Sequence, residues 1–225
     1  MRAYMAEGTE CVSRDSTAIE AREKPAAKKP RGCRAEKAPY GQKPKKRLEL
    51  QPKRGMEENI ADLPNLCDTG AKRNSKGALC HWTGYKLHLD VAKGGIPVAA
   101  IITSASTHDS QAAIPLAQMS GDRLAYLCEV ADSAYDAEQI RAFSRLHGRV
   151  PIIDRNRRGK SGVPMEAGHE AMFRSGRGAS ERANSELKDN YGGRFVRVRG
   201  AAKVMAHLMF GVIALTAKQL FNLLE

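Results

Sequence analysis

No Cys-x-x-Cys pair occurs in this sequence, and its five cysteines, Cys11, Cys33, Cys67, Cys80 and Cys128, are odd in number and widely scattered. That pattern argues against a zinc knuckle or a disulfide framework and makes a reducing cytoplasm the expected compartment. No apolar targeting segment opens the chain, since residues 1–15 are polar and charged. Long hydrophobic runs are missing as well. The most apolar stretch, residues 204–217, contains His207 and lies between Lys203 and Lys218. It is shorter than the ~20 residues that a bilayer span requires, so a buried core helix is expected there, and no membrane. Acidic residues are the last shortage: 25 Asp and Glu face 37 Lys and Arg, a formal charge of +12 over 225 residues.

The positive excess is concentrated. Residues 22–54 hold thirteen basic side chains and three acids, a net +10, together with five of the ten prolines. Such a block suits a polyanionic partner, because neutralising phosphates releases condensed counterions. The alternative is a solvated linker with no partner. The block has almost no large apolar side chains to offset its ordering entropy, so it is expected to be disordered or loosely attached. Residues 55–64 can add a short helix. Residues 22–63 thus form a basic low-complexity insert within one domain spanning 1–225, a length sufficient for a core of ordinary size.

Periodicity gives the remaining elements. Residues 11–21 carry β-branched side chains around a central Asp and suit a strand. Residues 67–83, rich in Gly, Asn, Ser and Lys, suggest a loop. In GYKLHLDVA (84–92), Tyr85, Leu87, Leu89 and Val91 share one face, and Lys86, His88 and Asp90 share the other. Lys93-Gly94-Gly95 and the apolar run IPVAAIITS (96–104) complete a β-hairpin. Asp109 suits the N-cap of a helix reaching about Met119. The apolar run 124–131 suggests an interior strand ending at Asp132. A helix over 137–147, a short strand over 150–154, a polar Gly-rich excursion over 157–178, and helices over 179–190 and 201–224 follow. This order predicts an α/β fold with helices packed on the sheet.

Three carboxylates stand out by position. Asp15 lies within the first strand, Asp132 ends an apolar strand where open α/β sheets bind ligands, and Glu181 opens a late helix. Parallel pairing of those two strands would set Asp15 beside Asp132, and two hard oxygen donors at close range suit Mg²⁺. Turn chemistry or capping is the ordinary role of a single Asp at a strand end, and Asp109 and Asp136 are read that way. His81, His88 and His108 have no partner at ligand spacing, so packing or capping is expected of them.

The stretches SRDSTAIEAREK (13–24), GYKLHLDVAKGGIPVAAIITSASTHDSQAAIPLA (84–117), VADSAYDA (130–137) and ERANSELKDNYGGRFVRVRGAAKVMAHLMFGVIAL (181–215) resemble the DDE domains of bacterial insertion-sequence transposases. The resemblance covers most of residues 11–225, in the family's order. It implies an RNase H-like mixed sheet with flanking helices, here interrupted by the basic disordered insert. It also implies metal-dependent strand cleavage and strand transfer at insertion-sequence ends, with Mg²⁺ or Mn²⁺ as cofactor. Implied partners are double-stranded DNA, both transposon ends and target, with a homodimer left open, in the cytoplasm at the bacterial nucleoid.

Carried over residue by residue, the first family Asp is Asp15 in Asp15-Ser16-Thr17, and the second is Asp132 in Asp132-Ser133-Ala134-Tyr135-Asp136. A signature of Tyr, Arg, Glu and Lys supplies Glu181, with Arg177 and Lys188 at the family's spacing. Its Tyr position holds Arg174, a departure that leaves a catalytically inactive DNA-binding remnant as the alternative reading. About fourteen residues precede Asp15, where relatives carry an end-recognition region, so an N-terminally truncated element is expected. At about 3.6 residues per turn, positions 181, 184, 185 and 188 share a helix face. Glu181 would then reach the metal while Arg177, Arg182, Asn184 and Lys188 meet DNA, and Ala183 and Leu187 pack. Asp68 is the competing first acid, disfavoured by its loop-like surroundings.

Overall fold

The computed structural model describes residues 11–27, 46–73, 77–156, 165 and 167–224. Seven strands form one mixed sheet: β1 (Cys11–Ala21), β2 (Asp68–Arg73), β3 (Leu79–Ala92), β4 (Ile96–Ser104), β5 (Cys128–Ala131), β6 (Val150–Ile153) and β7 (Phe195–Val196). The main path runs β2-β3-β1-β5-β6, with β4 on β3 and β7 on β1. β1 and β3 are antiparallel, whereas β1, β5 and β6 run parallel. The helices are α1 (Arg47–Leu50), α2 (Met56–Ala61), α3 (Ser110–Arg123), α4 (Glu138–Leu146), α5 (Ala167–Asn190) and α6 (Ala201–Asn222). This mixed α/β architecture is compatible with the RNase H-like fold that the sequence implies.

The two-residue alternation of β3 sorts the layers. Leu87, Leu89 and Val91 pack with Leu187 of α5 and Val204, Leu208 and Leu215 of α6. On the opposite face Ala99 and Ile101 of β4 meet Ala112 and Leu116 of α3, and α4 adds Ile140 and Phe143 nearby. Lys86, His88 and Asp90 therefore do not face solvent: α3 covers them, and His88 and Asp90 are fully buried. Asp90 is held in a charge cluster, accepting both Nε (2.7 Å) and Nη2 (2.8 Å) of Arg14 and the hydroxyl of Ser120 (2.7 Å). Glu129 of β5 joins it through Arg14 (3.4 Å), Arg149 (3.2 Å), Tyr126 (2.8 Å) and Ser144 (2.7 Å). So many partners are what buried charges require.

Several sequence expectations are corrected. Residues 47–53, within the stretch expected to be loose, are helical and packed on α3. Gln51 is buried and donates to the Gln111 carbonyl (2.7 Å), and Asn59 donates to the Gln51 carbonyl (2.9 Å). Side-chain bonds to backbone supply there what apolar residues do not. Residues 28–45 of the expected insert lie outside the described residues. The expected loop over 67–83 contains β2, whose backbone pairs with β3 from Asp68↔Gly84 to Arg73↔Leu79.

The expected excursion over 157–178 includes the first half of α5, which begins at Ala167. Gly176, unfavourable in a helix on propensity, lies so near the sheet that a Cβ would come 3.0 Å from Val130 Cγ2. α6 covers nearly all of the helix expected over 201–224 and, by length and composition alone, is apolar enough to cross a membrane. It packs instead on β4 and α5, although Phe210, Ile213 and Phe221 remain exposed. Finally, one disulfide joins Cys11 and Cys128, which are direct partners in the β1–β5 register with Cα atoms 4.4 Å apart. Spacing along the chain does not disclose that register.

Candidate active site

β1 and β5 pair in parallel from Cys11↔Cys128 to Arg14↔Ala131, so Asp15 and Asp132 are the next residues on adjacent strands. β5 stops there because the Asp132 carboxylate accepts the Ala134 amide (2.9 Å) and turns the chain into the 3-10 turn Ser133–Tyr135. α5 crosses the same face of the sheet. Ser13 and Ser180 share a hydroxyl hydrogen bond (2.7 Å), and Asn184 Nδ2 donates to Asp15 Oδ2 (3.0 Å). One small pocket is consequently lined by Asp15, Asp132 and Glu181, with Arg177 beside them.

Burial dominates the electrostatics. It raises the carboxyl pKa of Asp15, opposed by the Ser16 amide, the Lys72 charge and Asn184, and reinforced by Asp132. It also raises that of Asp132, opposed by the Ala134 amide, Arg177 and Lys72 and reinforced by Asp109. Glu181 is turned toward Arg177, whose Nε lies 2.7 Å from its Oε1. Both side chains are 51% exposed, so this pair is worth only about 0–1 kcal/mol and is readily exchanged. Desolvation lowers the Lys188 pKa, with the charges of Arg194 and Lys72 adding to it.

Hard carboxylate oxygens are a donor set that suits a divalent cation. Two observations fit such an ion: burial penalises the charge on both aspartates, and the buried Asn184 Oδ1 beside Asp15 has no hydrogen-bond partner among the described residues. As the side chains stand, no three His, Cys, Asp or Glu groups among the described residues converge tightly enough to enclose one.

The residues singled out from the sequence are distributed as follows. Asp15, Asp132, Glu181 and Arg177 meet in the one pocket. Asn184, expected against DNA phosphate, is buried under Asp15 instead, while Arg182 is exposed and Lys188 half-buried. Ala183 and Leu187 pack in the core as expected. Asp68 is engaged elsewhere, accepting the Ser106 amide (2.9 Å) and hydroxyl. Arg174, at the signature's Tyr position, pairs with Glu170 on the exposed side of α5.

Asp109 sits at the N-cap position of α3 but makes no side-chain cap bond; it accepts Lys86 Nζ (2.8 Å) and the Ser16 hydroxyl. Asp136 likewise binds Arg141 (2.8 Å) and the Asn156 amide (3.0 Å) rather than capping α4. Sequence reasoning missed Asp109 and Lys72 as charges acting on the site. The β-hairpin alternation puts Lys86 on the α3 face and so could have suggested Asp109, but only the fold brings Lys72 into range.

A family model described as the transposase DDE domain matches residues 7–217. No curated protein matches the chain. The match takes in β1, β5 and α5, the three elements that supply the pocket's carboxylates, and the chain belongs to the transposase DDE domain family.

Proposed function

We propose that this chain cuts DNA strands at the ends of an insertion sequence and joins them to target DNA. DDE domains generally use divalent metal ions, and transposases act on DNA. The observation that carries the finer reading is the gathering of Asp15, Asp132 and Glu181, distant in sequence, in one pocket. Asp15 and Asp132 would hold Mg²⁺ or Mn²⁺, joined by Glu181 once it exchanges Arg177. When bound, such ions supply Lewis acidity for an in-line displacement at phosphorus by water or a 3′-hydroxyl.

The chain's own residues do the positioning. Asn184 orients Asp15 through its amide hydrogen bond, and the Ser13–Ser180 bond ties α5 to β1 so that Glu181 stays within reach. Arg177, freed from Glu181, would turn to the phosphate being cut, with Arg182 and Lys188 holding phosphates along the strand. Asp132→Asn is expected to abolish Mg²⁺-dependent nicking of a duplex while leaving duplex binding almost intact. Undiminished nicking refutes the assignment.

A second reading, DNA binding without cleavage, is favoured by Arg174 in place of the signature Tyr and by the hold of Arg177 on Glu181. A Mn²⁺ titration separates the two. Saturable binding lost in Asp132→Asn supports the enzyme, and no binding in the unaltered chain supports the inactive form.

A further inference from the structure

Next to the carboxylate pocket lies a second, larger cavity of about 350 Å³, between α5 and the turn Lys93–Gly95 that joins β3 to β4. The two adjoin at Ser13, which lines both. Val91, Ala92, Met172 and Ala179 give the larger cavity apolar walls, and among the described residues its charged lining side chains are both cations, Lys93 and Arg182. Both are exposed, and neither is ion-paired among the described residues. Neighbouring cations on α5 are engaged: Arg174 holds Glu170 and Arg177 holds Glu181. The local backbone leaves room for both. Gly94 and Gly95 each have φ near +80°, so the turn carries no side chain beyond Lys93 itself. The Arg182 guanidinium folds back over Gly178, where a Cβ would come 2.8 Å from its Nη1.

We propose that Lys93 and Arg182 form a phosphate clamp for the DNA strand that runs away from the scissile phosphate, making the β3–β4 turn part of the DNA-binding surface. The inference rests on the cleavage reading, which sets the scissile phosphate among Asp15, Asp132 and Glu181. A strand cut there must continue past the pocket in both directions. In the direction of Ser13 it meets two positive charges, one on each side of a cavity that no carboxylate lines among the described residues. Charge complementarity selects a phosphodiester backbone as the occupant. Among the described residues no aromatic side chain lines the cavity, so contacts to the backbone rather than base stacking are assigned to it.

The test is duplex binding by the full chain, followed by fluorescence anisotropy over a series of NaCl concentrations. Lys93→Ala and Arg182→Ala should each weaken binding and each lower the slope of log affinity against log salt by about one. Lys93→Arg should restore the slope. Arg145→Ala, on the exposed side of α4 where it pairs with Glu138, should leave it unchanged. Thermal melts matching the unaltered chain keep the comparison to folded protein, and both substituted side chains are exposed. An unchanged slope in Lys93→Ala overturns the clamp even where Asp132→Asn abolishes nicking. If the Lys93 and Arg182 variants lose the slope while nicking proves independent of Asp132, the clamp stands and the catalytic assignment fails. Duplex binding by the unaltered chain that is insensitive to salt overturns the clamp outright.

Discussion

At the scale of single residues, the buried polar groups behind the site decide how the fold responds to pH. His88 is fully buried, and its Nε2 lies 2.9 Å from Thr103 Oγ1. Because the Thr103 hydroxyl donates to the Ser104 carbonyl (3.2 Å), it accepts from Nε2–H, and this leaves Nδ1 unprotonated and without a partner among the described residues. Burial pulls the His88 pKa down from 6.5 to about 4. The unfolded chain therefore takes up this proton first as pH falls. Stability is fully present above the unfolded value and is lost progressively as pH drops toward the folded one. The loss at pH 5 is about 2 kcal/mol. Urea midpoints measured between pH 7 and pH 5 should fall accordingly, and the fall should be much smaller in His88→Gln. A variant that keeps the same pH profile would show that another group is responsible.

The elements owe their positions to close approaches that small residues permit. α5 and α6 cross at Gly211, where a Cβ would come 2.6 Å from the Tyr191 carbonyl oxygen and 2.8 Å from Leu187 Cδ1. Gly211→Ala should cost about 1–3 kcal/mol through overpacking, despite the better helix propensity of Ala. Chemical denaturation measures it, and a wild-type midpoint would mean that α6 can move off α5 at no cost. Gly176 does the equivalent against Val130 and lets α5 run unbroken past the sheet to present Glu181. Such glycines look like helix breakers in the sequence, which is why the helix was expected to begin only at 179. Tertiary contact overrides the local preference here.

In the molecule as a whole, the Cys11–Cys128 disulfide closes a loop across 117 positions and joins the strands that carry Asp15 and Asp132, four residues before each. On a chain-entropy account, closing a loop of that length stabilises the fold by about 5 kcal/mol. The thermal midpoint should therefore drop in dithiothreitol. The double variant Cys11→Ser, Cys128→Ser should melt at the reduced temperature whether or not reductant is present. Equal midpoints for the unaltered chain and the double variant, both without reductant, would remove the bond from the stability account.

Periodicity made the hairpin 84–104, the strand before Asp132 and the helices around 140 and 210 legible in the sequence, because each buries an apolar face whose repeat is local. Asp15, Asp132 and Glu181 were legible through the family's motifs together with their places on those elements. Their convergence was decided in three dimensions, by the parallel β1–β5 register and by α5 crossing the same face. The same holds for Asn184 under Asp15, for the Arg14–Asp90–Glu129 cluster and for the Cys11–Cys128 bond. Each joins residues at least 76 positions apart, and no periodic pattern encodes a contact over that distance. Apolar repeats specify which face an element buries; only packing specifies which partner it meets there.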